Sequence, residues 1–202
     1  MAVILAFVVT LVCAPVAAAL ARRLGVVDRP GPLKVQAVPV PYLGGVAVLA
    51  GIGGGVALAT EELPLLLPLT LAFALGLADD VVDLPAAVRL VSELLIGIAA
   101  VAVLPVHDAL SAGLVIGLVV FLLNAVNLLD GLDGLAIGVS LVSAICFAIL
   151  LGGVVGDLAA AAAGAFAGFA VWNRPPARIY LGDSGSYLIG TTLAVLLSTA
   201  LL

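Results

Sequence analysis

Three short stretches of this chain hold the residue types that do chemistry. They are Asp79-Asp80-Val81-Val82-Asp83, the run from Asn124 to Gly134 that carries Asn124, Asn127, Asp130 and Asp133, and Gly182-Asp183-Ser184-Gly185-Ser186. Charged residues make up only 9% of the sequence, so these carboxylates stand out against an apolar background. Ionisable groups near lipid are costly and usually face protein or water. Acids gathered at one membrane face point to a cation site, and through the cation to a phosphate-bearing substrate.

Each cluster has its own logic. Adjacent carboxylates such as Asp79 and Asp80 repel, and one tends to hold a proton unless a cation intervenes. Mg²⁺, a hard ion that takes oxygen ligands and substrate phosphates, is the usual intervener. A solvated start of a loop is the plain alternative. Asp83 is placed to cap a helix beginning near Leu84-Pro85. Arg89 and Glu93, four residues apart, read as an ion pair on one helix face. Asn124, Asn127, Asp130 and Asp133 recur every three residues and would form one polar stripe at a helix end. Such amides and carboxylates need partners, which a nucleotide diphosphate would supply; a polar seam between helices would serve as well. In the third cluster, backbone N–H groups at a helix start are suited to phosphate oxygens, and Asp183 to a metal. Tyr180, three residues earlier, reads either as a base-stacking ring or as an interfacial anchor.

The elements that position these groups follow from hydropathy. The 202 residues are 65% hydrophobic, and the mean hydropathy is +1.41. A soluble domain of this size could not hide that surface, so the fold class is an all-α, polytopic transmembrane helix bundle forming a single integral membrane domain over 1–202. Eight spans are predicted, at Ala2–Ala21, Leu43–Thr60, Leu63–Ala78, Val88–Leu104, Leu110–Leu129, Leu135–Leu151, Leu158–Trp172 and Tyr187–Leu202. Threading them puts all seven Lys and Arg residues on one side: Arg22, Arg23, Arg29, Lys34, Arg89, Arg174 and Arg178. The other side receives Glu61, Glu62, His107, Asp108 and Asp157. The positive-inside rule makes the first side cytoplasmic and the N-terminus external. The same threading places all three acid clusters inside. Glycines four apart, at Gly113/Gly117, Gly134/Gly138 and Gly164/Gly168, are read as helix-packing positions. Cys13 and Cys146 read as small core residues, and the single histidine, His107, excludes a multi-histidine metal site. The net charge of −5 is local and gives no sign of a nucleic-acid partner.

The order of the motifs resembles that of the polyprenyl-phosphate N-acetylhexosamine-1-phosphate transferases, a family that includes phospho-N-acetylmuramoyl-pentapeptide transferase and undecaprenyl-phosphate GlcNAc-1-phosphate transferase. The resemblance rests on Val38 to Gly45, Gly76 to Leu84, Asn124 to Ala136 and Asn173 to Ser186. It implies a bacterial multi-pass enzyme of the inner (plasma) membrane with a cytoplasmic site. The enzyme would move a sugar-1-phosphate from a UDP-N-acetylhexosamine to a polyprenyl phosphate, release UMP and use Mg²⁺, with a homodimer as a further possibility. By motif position, Asp79 and Asp80 match the catalytic acid pair. Asp183 matches the magnesium ligand, and Asn127, Asp130 and Asp133 match the nucleotide-diphosphate site. Tyr180 matches the ring that stacks on uracil. Lys34 and Asn124 are assigned to substrate binding. The mechanism expected is direct attack by the lipid phosphate on the sugar-linked phosphorus, with Asp79 taking the proton and Asp80 tuning it.

The sequence also departs from the family pattern. A histidine-rich cytoplasmic loop and further helices are expected after the eighth span and do not occur within these 202 residues, so the chain reads as a shortened version of the family domain. Leu33-Lys34-Val35-Gln36 stands where GlcNAc-type relatives tend to have Arg-Lys-Val-His, and Tyr42 replaces a frequent Arg. A non-catalytic membrane scaffold therefore competes with the transferase. An ion transporter is a third reading, disfavoured because transporter sites lie near the midplane and here only Glu93 lies within a span.

Overall fold

The computed structural model describes residues 1–31, 36–59 and 63–202. Lys34, Glu61 and Glu62 lie outside the described residues. Eight α-helices follow in order: α1 (Ala2–Leu24), α2 (Gly44–Ala59), α3 (Leu66–Val82), α4 (Ala86–Val103), α5 (Ala109–Leu129), α6 (Leu135–Leu150), α7 (Gly153–Asn173) and α8 (Gly182–Leu201). A two-residue antiparallel ladder, β1 (Val27–Asp28) with β2 (Val40–Pro41), lies between α1 and α2. Six helical segments are long and apolar enough to cross a membrane; α2 and α6 are shorter apolar helices of 16 residues each.

The helices sort into two groups. One is α1, α2 and α7, and the other is α3, α4, α5 and α8, with α6 set against α7 and α8. The most enclosed element is α8, which touches members of both groups. Large apolar side chains turn outward instead of inward, among them Leu95, Phe121, Val142 and Ile149. That surface suits lipid, where the backbone must satisfy itself within helices. Small residues line the inner contacts. Gly164 and Gly168 sit against the α1 backbone, where any Cβ would collide with the carbonyls of Val3 and Phe7. Gly113, Gly117 and Gly138 face open space instead, so the packing role expected for those three does not hold. Trp172 fastens the far end of the same α1–α7 contact by donating its indole N–H to the Leu11 carbonyl at 3.0 Å.

Local chemistry explains the ends. Gly25, at φ 75°, closes α1 with its N–H on the Ala21 and Arg22 carbonyls, and Arg22 and Arg23 lie in the last turn where cations suit the helix dipole. Asp108 opens α5 by accepting from the N–H groups of Leu110 and Ser111 at 2.9 and 3.0 Å. The hydrogen bonds from Ser111 and Leu110 hold its carboxyl below the usual range.

Three boundaries differ from the hydropathy reading by four residues or more. Helix α3 runs on to Val82, so Asp79 and Asp80 belong to its last turns. Helix α8 starts at Gly182, five residues before Tyr187, and α7 starts at Gly153. Left-handed backbone at Asp83, Gly153 and Gly182 marks these ends, and hydropathy does not register it.

Candidate functional site

The C-terminal ends of α1, α3, α5 and α7 and the N-terminal ends of α2 and α8 meet at one end of the bundle. They enclose a cavity of about 1020 Å³. Its wall takes Val27 and Asp28 from the β1 strap, Val40 and Tyr42 before α2, and Asp80 from α3. Asn127 and the turn Asp130–Asp133 come from α5, Asn173 and Pro175–Ala177 from the end of α7, and Tyr180, Gly182 and Asp183 from the entry to α8. All three acid clusters thus reach one chamber.

Backbone hydrogen bonds knit the wall together. Tyr180 N–H donates to the Pro41 carbonyl at 2.8 Å, and Gly44 and Gly45 N–H donate to the carbonyls of Tyr180 and Leu181 at 3.0 Å each. Gln36 Nε2 donates to Asp28 Oδ2 at 2.5 Å and holds the strap. Asn173, buried at the end of α7, accepts from Gly134 N–H at 3.1 Å and donates to the Ile179 carbonyl at 3.0 Å. It therefore joins the start of α6 to the entry of α8. Asp133 Oδ2 accepts from Ala177 N–H at 2.8 Å and pins the loop after α7.

The acids differ in their circumstances. Asp80 crosses from α3 to the first turn of α8, its two oxygens accepting from Asp183 N–H at 2.8 Å and Ser184 N–H at 3.0 Å. The α8 N-terminus, read from sequence as a place for phosphate oxygens, is thus occupied by the chain's own carboxylate. Asp183 Oδ1 accepts from Asn127 Nδ2 at 2.6 Å, and the same amide reaches Ser186 Oγ at 3.0 Å. Asp130 caps the end of α5 through its backbone, and its side chain has no hydrogen-bond partner among the described residues. Burial, with the neighbouring charges of Asp183, Asp80 and Asp133, pushes its carboxyl up to about 8. Tyr180 is half-buried on the wall; burial and the charges of Asp133, Asp28 and Asp130 raise its hydroxyl.

Asp79 and Asn124 are placed elsewhere. The Asp79 side chain is 2% exposed and lies off the cavity wall. It accepts from Leu84 N–H at 2.8 Å, from the Tyr187 hydroxyl at 2.8 Å and from Arg89 Nη1 at 3.1 Å. Arg89 therefore pairs with Asp79 and not, as the four-residue spacing predicts, with Glu93. Glu93 is buried and accepts from Asn124 Nδ2 at 2.8 Å, between α4 and α5. Of the predicted polar stripe, Asn127, Asp130 and Asp133 share the cavity wall, with Asn127 reaching across to α8, whereas Asn124 turns away to α4. Asp83 does not cap α4 either. It is exposed, ends α3 at φ 52°, and leaves Pro85 at the start of α4 without a side-chain cap.

The sequence reading missed Asn173, Asp28 and Tyr187. A polar residue at the edge of an apolar helix, as Asn173 is, could have been taken as a group requiring a partner. Tyr187 offered no comparable signal, because its partner Asp79 lies 108 positions away; Asp28 stands in a connection between helices, held by Gln36 eight residues on, and nothing in that stretch marks it as facing the cavity.

The donor set fits a hard cation. Asp183 and Asp130 bring carboxylate oxygens to one wall, while Asp80 and Asp133 are engaged by backbone N–H groups. Among the described residues no cluster of three or more potential ligands is pre-assembled. Mg²⁺ commonly takes only one or two carboxylates, with water and substrate phosphates completing its shell, so this arrangement suits Mg²⁺ arriving with a phosphate ligand.

The fold and site define a polytopic helical membrane protein with an acid-walled chamber at one end of its bundle. Residues 63–200 match Glycosyl transferase family 4, and the chain belongs to that family. It is 33% identical to a decaprenyl-phosphate N-acetylglucosaminephosphotransferase of Mycobacterium tuberculosis, over 90% of this chain and 55% of the relative. It is 29% identical to a probable undecaprenyl-phosphate N-acetylglucosaminyl 1-phosphate transferase of Bacillus subtilis, over 96% of this chain and 62% of that protein. It is 34% identical to a phospho-N-acetylmuramoyl-pentapeptide-transferase of Desulforudis audaxviator, over 94% and 72%. The chain spans little more than half the length of the first two relatives.

Proposed function

We propose that this chain transfers an N-acetylhexosamine-1-phosphate from a UDP-sugar to polyprenyl phosphate, with UMP as leaving group, at the cytoplasmic face of a bacterial inner membrane. The product would be a lipid-linked precursor of cell wall or surface glycan. The observation that carries this reading is the convergence of Asp80, Asp130, Asp133, Asp183 and Tyr180 on one cavity of about 1020 Å³ at the end of an apolar bundle. That volume suits a nucleotide sugar. The names of the relatives support the acceptor and the sugar-phosphate chemistry.

Catalysis of phosphoryl transfer is mainly positioning and charge neutralisation. Asp183, steadied by Asn127, and Asp130 would hold Mg²⁺, which supplies charge neutralisation to the diphosphate when bound. Tyr180 offers its ring to the base. Asp133 and Asn173 keep the 173–179 loop against the cavity. A phosphate monoester has a second pKa of about 6, so the attacking lipid phosphate needs little help from a base at neutral pH. That requirement is light enough to be met without Asp79, whose oxygens are occupied off the wall.

The test is turnover of labelled UDP-GlcNAc with decaprenyl phosphate in detergent. Organic-extractable label and free UMP are expected with Mg²⁺ and not with EDTA. Asp183→Asn should lower the rate by about 10²-fold or more, the scale for loss of one preorganised electrostatic group. Equal turnover with EDTA, or in the variant, would overturn the assignment.

A further inference from the structure

The polar contacts behind the cavity close a ring through four helices. Asp79 on α3 meets Arg89 on α4. Glu93, one turn further along α4, meets Asn124 on α5. Asn127, on the next turn of α5, meets Asp183 on α8. Tyr187, one turn along α8, returns to Asp79 at 2.8 Å, while Asp80 beside it takes the N–H groups of Asp183 and Ser184 in the first turn of α8. A chain of side chains this long, in a bundle otherwise packed by Ala, Val, Leu and Gly, has few alternative partners. Removing one member leaves a buried polar group unsatisfied, at greater cost than the hydrogen bond itself contributes.

We infer that Asp79 is a positioning residue, anchored by Arg89 and Tyr187, which seats the end of α3 so that Asp80 fixes the first turn of α8 and with it the place of Asp183 on the cavity wall. Geometry carries this. Both Asp79 oxygens are occupied, its side chain is buried behind the wall beside the Asp183 carboxyl, and its three hydrogen-bond donors come from the α3–α4 turn, α4 and α8. Asp80, the next residue, is thereby held with each oxygen on one N–H of α8. Gly76, one turn earlier on α3, lies against the Asp183 carbonyl and Ser184 N, so the two helices meet at backbone contact there. The role deepens the transferase reading and rests on it for the use made of Asp183.

Hydrogen exchange over residues 182–187 of the full chain in detergent tests the inference without calling on activity. Among the described residues, the α8 amides of Asp183 and Ser184 have only Asp80 as acceptor. Arg89→Gln and the milder Tyr187→Phe, neither on the cavity wall, should each speed exchange in that segment about tenfold or more, the scale of one hydrogen bond to a charged group. Unchanged exchange in both overturns the inference. The pH profile of turnover is the second readout. A positioning role lowers kcat in Tyr187→Phe and leaves the acid limb in place. Migration of the acid limb to higher pH would show Asp79 titrating during turnover, and would also overturn the inference. A parent chain that turns nothing over counts against the transferase reading, and the exchange result then decides the positioning role by itself.

Discussion

Asp80 accepts the backbone N–H of Asp183 at 2.8 Å, a hydrogen bond between residues 103 positions apart in the chain. The contact needs the end of α3 and the start of α8 to touch at backbone distance, and Gly76 permits it. A Cβ at Gly76 would fall on the Asp183 carbonyl and within 2.5 Å of Ser184 N. Gly117 on α5 has nothing within 4 Å of the same point. Gly76→Ala should therefore destabilise the protein by about 1–3 kcal/mol, the range for overpacking a filled interface. Gly117→Ala should be neutral or stabilise by up to about 1 kcal/mol through helix propensity. Thermal unfolding of both variants in one detergent checks this, and equal shifts would refute the packing argument.

Much of this arrangement was legible in the sequence, because hydropathy and charge report directly on what lipid will accept. Each of the eight predicted spans overlaps one helix, and the three acid clusters gather at one end as the alternation of spans requires. What escaped was pairing across turns and between distant helices. Arg89 has Glu93 one turn away on its own helix, yet the short 83–85 turn brings Asp79 within reach. Asn124 and Asn127 share a period of three, which rotates a helix position by about 60° relative to a full turn. That rotation sends one to α4 and the other to α8. Tyr187 opens the last apolar run, and nothing nearby in sequence marks its hydroxyl as the partner of Asp79.

The Glu93–Asn124 contact makes a second prediction. Glu93 is 3% exposed, and the Asn124 amide is its hydrogen-bond donor at 2.8 Å. Asn124→Leu should cost about 1–3 kcal/mol by leaving a buried acceptor unsatisfied. Glu93→Gln keeps the size and an acceptor oxygen and should cost less. Denaturant unfolding in mixed micelles compares them. A larger loss for Glu93→Gln than for Asn124→Leu would mean that the charge, and not the hydrogen bond, is what Glu93 contributes.

Orientation is open to direct labelling. Arg22, Arg23, Arg174 and Arg178 lie on elements at the cavity end, whereas Met1, Ala59 and Asp157 meet at the other. The positive-inside rule predicts that the cavity end faces the cytoplasm. Single cysteines replacing the exposed Gly152 and Pro175, in a background lacking Cys13 and Cys146, should differ toward an impermeant thiol reagent on intact cells. The first should react and the second should be protected. The reverse pattern would invert the topology and put the acid-walled cavity outside.

The last prediction concerns Asp130 and the cation. Its carboxyl is raised to about 8 by burial and by the charges of Asp183, Asp80 and Asp133, against about 3.9 for an unfolded aspartate. A carboxyl with a raised folded pKa binds its proton more tightly when folded. Without a cation, its contribution to stability is therefore present below about pH 4, is lost as pH rises from there, and levels off above about pH 8. A divalent cation at this wall would offset the repulsion, so its stabilising effect should grow over the same interval. Thermal unfolding from pH 5 to 9, with EDTA or with Mg²⁺, should show two curves that are close at the acid end and separate toward pH 8. Asp130→Asn should flatten the EDTA curve and narrow the separation. Curves that stay parallel across the range, or an unaltered pH dependence in Asp130→Asn, would remove Asp130 from the proposed cation site and leave the role of ligand to Asp183.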